Sequence, residues 1–330
     1  MAFGEHIRRC FWLGLVIPVS AALCFYWRMP WVFVIGAAVG QPLLDTLIGA
    51  EKPSSEPEFS LGPRMPAYFN LLWWSALAVA ALHARSAGPL ELAGLTVACG
   101  ILGAMAMAHT HELIHRDCIP GRTISTVALI LAGYPHYRTV HRLHHQYVGD
   151  PAYGSTAAVG ESLWRHVPKS LMTSIRESLL FEARRSGSLL LNRFTAPVLA
   201  CVVLLVAAYA WGGTREAIFW VGSFALCIFL VEGIGYLQHY GLGQKEGEAL
   251  HVMAWDMEYW LSNRLFVNNG RHTHHHVEQS LNYSLLQPGK ATLPGGYFVM
   301  LWAAFFPKLW FSIMDSRVAA VRVRETSVVD

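Results

Sequence analysis

Arg271-His272-Thr273-His274-His275-His276 places four imidazoles in six residues. Three related stretches lie elsewhere: His111-Glu112-Leu113-Ile114-His115, His141-Arg142-Leu143-His144-His145, and the single His239 of Tyr236-Leu237-Gln238-His239-Tyr240-Gly241-Leu242. Residues at i, i+3 and i+4 share one face of a helix, so His111/His115, His141/His144/His145 and His272/His275/His276 can each aim their rings at one point. If the four stretches meet, they supply nine neutral nitrogen donors, more than a single ion accepts. The spacing therefore predicts a dinuclear metal site, and the fold must be one that gathers four distant segments.

The rest of the chain supplies the means. With 54% hydrophobic and 14% charged residues in 330, it reads as a membrane protein rather than a soluble domain. Six stretches are apolar and long enough to consider as spans, at about 11–27, 31–49, 69–84, 90–108, 195–211 and 217–237. They pair into hairpins through Arg28-Met29-Pro30, through Arg85 to Pro89, and through Gly212-Gly213-Thr214-Arg215. With a cytoplasmic N-terminus, those turns hold three of the 25 Lys and Arg (Arg28, Arg85, Arg215) outside and leave the others inside, as the positive-inside rule requires. All four histidine stretches then fall on the cytoplasmic face. The expected fold is a single all-α integral membrane domain over 1–330, with about six transmembrane helices under a histidine-rich helical cap. Residues 109–194 and 238–330 form its cytoplasmic catalytic segments, both termini are cytoplasmic, and the location is a bacterial-type inner membrane.

Other features narrow the reading. A net charge of +3 without a basic run argues against nucleic acid. The six Cys form no C-x-x-C pair, so neither a disulfide framework nor an iron–sulfur module is encoded, and reducing equivalents must come from a separate protein. Its docking surface is expected to be basic, from Arg116, Arg122, Arg138, Arg142 and Arg271. Arg8-Arg9 precede an apolar stretch read as a retained anchor, and 51–66 as a polar linker. Residues 161–190 suggest an amphipathic helix along the headgroups, and 295–314 a buried or interfacial helix.

His111-Glu112-x-x-His115 is also the zinc-protease pattern, but zinc hydrolysis needs only three protein ligands and an open position, which leaves the other stretches unexplained. A histidine-lined metal transporter would hold its ligands at mid-membrane. Imidazole suits iron, copper, nickel and zinc alike, so ligand type leaves the metal open. An all-nitrogen dinuclear centre at a membrane face suits dioxygen activation at iron. Glu112, Asp150 and Asp256 are candidates for orienting imidazoles through their second N–H. Glu232, two turns before His239, is a candidate for the cavity beneath the metals. His109, His136 and His274 sit beside the ligand stretches as candidate outer or substitute ligands, whereas His83, His166 and Asp45 are read as structural. Gly36, Ala37, Ala38, Gly40, Gly100, Gly103, Ala104 and Ala108 offer small side chains for a substrate tunnel, or simply for close helix packing.

These motifs resemble those of the membrane alkane 1-monooxygenases, within the fatty-acid desaturase/hydroxylase superfamily. His111-Glu112-x-x-His115-Arg116, Tyr236-x-x-His239-Tyr240-Gly241-Leu242 and Arg271-His272-x-x-His275-His276 resemble three of the family's motifs. Flanks such as Pro42-Leu43-Leu44-Asp45, Asp150-Pro151-Ala152, Ser262-Asn263 and Leu293-Pro294-Gly295-Gly296-Tyr297 are similar too. The second histidine stretch departs, having two residues between its first two histidines, which is the desaturase spacing. Gln238 stands where Glu often precedes the lone histidine, and Asn269-Gly270 where Leu-Gln is usual. The resemblance implies a non-haem di-iron centre held by the nine histidines, and electrons from NAD(P)H through a reductase and rubredoxin or ferredoxin. It also implies terminal hydroxylation of an alkane or similar chain with O2, with acyl-chain desaturation as the alternative.

Overall fold

The computed structural model describes residues 11–51, 64–150, 153, 155–190, 192–243 and 254–326, with side chains to 322. The expected linker lies almost wholly outside the described residues, as do Arg8-Arg9, Pro151 and Ala152. The protein is an all-α membrane protein. Twelve helices carry the argument: α1 (Phe11–Tyr26), α2 (Pro30–Ile48), α3 (Met65–Ala84), α4 (Pro89–Ile114), α5 (Ile119–Leu131), α6 (Tyr137–Gln146), α7 (Leu163–Ser186), α8 (Thr195–His239), α9 (Trp260–Leu265), α10 (His272–Val277), α11 (Tyr297–Ala304) and α12 (Pro307–Thr326). By length and composition α2, α3, α4 and α8 can each cross a bilayer, whereas α1 is shorter. Their outward faces are apolar, as Val32, Ile35 and Val39 on α2 and Val202, Val203 and Val206 on α8 show.

Local sequence explains where the helices start and bend. Pro89 opens α4 behind an extended Gly88, with Glu91 in the first turn against the positive end of the helix. In α2 the turn Gly36–Gly40 widens to a π-helix. Pro42, lacking an N–H, leaves the Ala38 carbonyl four residues back without its usual donor, and the Trp302 indole supplies one at 2.9 Å. Helix α8 breaks at Gly213, whose φ of 65° suits glycine. The break is a reversal: Cys201, twelve residues before it, reaches the Ile130 carbonyl, and Phe224, eleven after, fills the space beside Gly133. Both sides of the break thus adjoin the end of α5, and the chain doubles back between the two stretches expected as separate spans.

The packing core is α4 against the returning half of α8. Ser223 donates to the Thr96 carbonyl at 3.1 Å, and Gly100 faces Leu226. The two helices therefore run parallel, and His111 and His239 arrive at the same end. This close approach favours packing over passage for Gly100 and Gly103. A Cβ on Gly100 would stand 2.8 Å from Leu226 and one on Gly103 3.2 Å from the Cys227 sulfur, so both glycines serve packing.

Three further features are informative. Residues 109–194 are not wholly a cap, because apolar α5 turns back among the long helices. Helix α7 packs on α6 and α8, burying Leu163 and Val167 together with a polar stripe, His166, Ser170, Ser174, Ser178 and Glu182, four residues apart, while Trp164 and Met172 stay exposed. Helices α11 and α12 meet at 118°, the bend falling at Phe305-Phe306 just before Pro307, so the apolar 295–314 stretch is not one straight crossing.

Candidate metal centre

Four helices deliver the nine rings. His111 lies in the last turn of α4 and His115 just past it, His141, His144 and His145 lie on α6, His239 ends α8, and His272, His275 and His276 lie on α10. They divide into a group of five (His111, His115, His141, His145, His275) and a group of four (His144, His239, His272, His276). Within each group the ligating atoms lie within 4.8 Å of one another. Ring nitrogens of His115 and His141 are 2.7 Å apart, of His141 and His145 2.9 Å, and of His145 and His275 3.1 Å. Ligands at right angles on one ion, each about 2.1 Å from it, stand roughly 3 Å apart. The donor set therefore fits a metal ion in each group.

Protonation fits as well. Burial, and after it the neighbouring imidazoles, hold His141, His144, His272, His275 and His276 well below the ordinary histidine range. Burial likewise lowers His115 to about 4 and, with His115 beside it, His145 to about 3. Neutral rings keep the lone pairs a metal requires. Both ring nitrogens of His111 are buried without a hydrogen-bond partner, a costly arrangement in an interior unless a ligand is met there.

Among the described residues no carboxylate hydrogen-bonds the Nδ1 atoms of His144, His145, His272 and His276, which are buried without partners. Glu112 is 4.0 Å from His111 Nδ1, beyond hydrogen-bond reach. Asp256, whose pKa burial raises to about 6, accepts the Thr273 N–H at 2.8 Å and the Gly289 N–H, and so anchors the backbone of α10 instead. Asp150 lies in the turn after α6, its N–H donating to Tyr147. The further histidines point elsewhere: His109 stacks on Phe69 and bonds the Leu265 carbonyl, His274 accepts the Gln287 N–H, and His136 packs on Tyr134.

A second support was not legible in the sequence. Glu51 pairs with Arg264 and with Arg271 (2.9 Å), and Arg271 also lies 3.6 Å from Glu258 and donates to the Leu286 carbonyl. Both arginines are buried, so Arg271 does not belong to the docking surface first expected to include it. Asp45, read as structural, accepts the Ser262 N–H and hydroxyl at 2.9 and 2.7 Å. The end of α2 is thereby tied to α9, the helix that precedes α10.

Against the metal end of the bundle lies a mainly apolar cavity of about 150 Å³. His111, His144, His239 and His272 reach it, and Ala104, Leu230 and Phe298 form part of its wall. Glu232 lines it, where the Tyr134 hydroxyl donates to its carboxylate. Of the expected tunnel residues, Ala104 and Ala108 line the cavity, while Gly36, Ala38, Gly40, Gly100 and Gly103 do not. Gly36 stands on the open side of α2, where a Cβ would meet nothing within 4 Å, and Ala38 is engaged by Trp302.

The sequence pattern of the family described as fatty acid desaturase matches residues 88–302, from the start of α4 into α11. The chain belongs to the fatty acid desaturase family. Within that family it is similar to alkane 1-monooxygenases. Alkane 1-monooxygenase 2 of Pseudomonas aeruginosa is 26% identical over 94% of this chain and 92% of its own length. Alkane 1-monooxygenase 1 of Alcanivorax borkumensis is 29% identical over 84% and 74%. The hydroxylase component of a xylene/toluene monooxygenase of Pseudomonas putida is 24% identical over 96% and 93%.

Proposed function

We propose that this chain is an O2-dependent di-iron monooxygenase that hydroxylates the terminal carbon of an alkane or similar hydrophobic chain. The observation that carries the reading is the pair of all-histidine groups set against an apolar cavity, in a chain similar to alkane 1-monooxygenases over nearly its whole length. The nine histidines are assigned as ligands, five to one iron and four to the other. Five nitrogens exceed the tetrahedral shell of a zinc site, which disfavours the protease reading. When bound, the irons supply the reductive activation of dioxygen that side chains cannot.

The net reaction is RH + O2 + two electrons + two protons, giving ROH + water. The residues of the chain hold the site and the substrate. Neutral imidazoles provide the lone pairs, Asp256 and the Glu51 network fix α10, and the apolar wall of the cavity excludes water and orients one end of the chain. Electrons reach the site from NAD(P)H through a reductase and a rubredoxin or ferredoxin. The donor docks on the basic rim formed by exposed Arg122 and Arg142 with half-buried Arg116 and Arg138. The inner membrane, with the metal end in the cytoplasm, is the placement that the positive-inside count supports.

The test is metal analysis of the purified chain in lipid, followed by turnover of alkanes and acyl chains with a redox donor. We expect two irons per chain, 1-alkanol as product, and slower reduction as salt screens the docking surface over about 8–10 Å. Olefinic acyl products without alcohol would establish desaturation instead. Bound zinc with O2-independent turnover would overturn the oxygenase reading.

A further inference from the structure

One wall of the cavity is at odds with a plain hydrocarbon. His166, Ser170 and Ser174 of α7 line it beside Glu232 of α8. All four are at least nine-tenths buried. The Ser170 side chain hydrogen-bonds the Glu232 carboxylate, to which Tyr134 also donates. His166 Nδ1 is buried with no hydrogen-bond partner. Burying such groups against an alkane leaves their remaining hydrogen-bonding capacity unmet, which is unfavourable in an interior. Glu232 precedes His239 by seven residues, two turns of the same helix face, so the polar wall stands roughly 10 Å from the metal end. That is the reach of a medium-length alkyl chain.

We infer that this wall is a subsite for a neutral hydroxyl group on the substrate. The chain would lie with its hydroxyl at His166, Ser170 and Glu232 and its far methyl end at the metals, so that an alcohol is hydroxylated at its opposite terminus. A hydroxyl both donates and accepts, matching a carboxylate acceptor beside imidazole and serine groups. A carboxylate head does not match: among the described residues no Lys or Arg lines the cavity to balance its charge. The inference rests on the hydroxylase reading for the outcome of turnover, but not for binding.

The experiment uses the full chain in lipid nanodiscs with 1-octanol, octane and octanoate as probes. Binding is measured without reductant, and product with it. The expected result is 1-octanol bound more tightly than octane by about tenfold or more, with octanoate weakest and the 1,8-diol as product. His166→Phe and, independently, Ser170→Ala should each bring the alcohol-to-alkane ratio toward one. Equal affinity for octanol and octane in the wild type, or a ratio unmoved in both variants, overturns the subsite. If octanol binds preferentially and the ratio falls in the variants while no hydroxylated product forms, the subsite stands and the hydroxylase reading fails.

Discussion

The two histidine groups are built unequally. The group of five draws on α4, α6 and α10, and the group of four on α6, α8 and α10. Two short helices serve both groups, while each group has one long helix of its own. Half-buried His115 and His145 lie in the larger group, and buried His239, His272 and His276 in the smaller. A short helix is marginal by itself and takes its position from what it packs on. Damage to α10 or its anchors should therefore reach both groups, whereas damage to α4 or α8 should reach one.

The largest effect that could break this comparison comes from removing single rings. His239→Ala leaves its group with three imidazoles and should lose that ion, so iron should fall to about half and turnover by roughly a hundredfold or more. His275→Ala leaves four in the other group and should retain more metal. Iron analysis of the two variants decides the matter, and equal losses would mean that the groups do not act as separate sites.

Next in size is Glu51→Ala, which removes the carboxylate that buried Arg264 and Arg271 share. A loss of roughly 3–5 kcal/mol is expected. Because α10 feeds both groups, iron should fall in both together. Partial loss confined to one ion would show that α10 is not the shared element.

Acid should act most on groups held neutral. His115 and His145 titrate at about 4 and about 3 in the folded chain, below the ordinary 6.5. The unfolded chain takes up those protons first, so the stability of the metal-free protein is full above about pH 6.5 and falls as pH drops toward 4, by up to about 1.4 kcal/mol per pH unit for each ring. Thermal midpoints across this range should slope downward, and less steeply in His145→Phe. A flat profile would contradict the neutral-ring account.

Asp256→Asn should be milder, about 1–2 kcal/mol, because the amide can still accept one of the two backbone N–H groups. Smallest is the effect of Ala104→Phe on the cavity wall: preference should shift to shorter chains with iron unchanged. Gly103→Ala, which presses on Cys227, should lower stability without moving chain length. Comparing the two variants by product profile and thermal unfolding separates cavity from packing.

The sequence by itself determined which histidines share a helical face and where the apolar framework lies. Spacing of i, i+3 and i+4 forces rings onto one helical face, and long apolar runs leave a chain little choice but helices in lipid. The nine histidines singled out by spacing are the nine that the fold gathers. Tertiary structure alone decided how they divide: adjacent His144 and His145 point to different groups, as do His275 and His276, because neighbours on a helix are about 100° apart and the partner helices lie on two sides. It also decided what supports them. Glu51 reaches Arg264 across 213 residues and Arg271 across 220, and no local pattern carries such pairs. The small residues of α2 looked like a tunnel because size permits either packing or passage, and only the neighbours tell which. Likewise the mixed composition of α7 does not reveal that His166, Ser170 and Ser174 line the cavity, which is set by the helices α7 packs on rather than by any pattern within α7 itself.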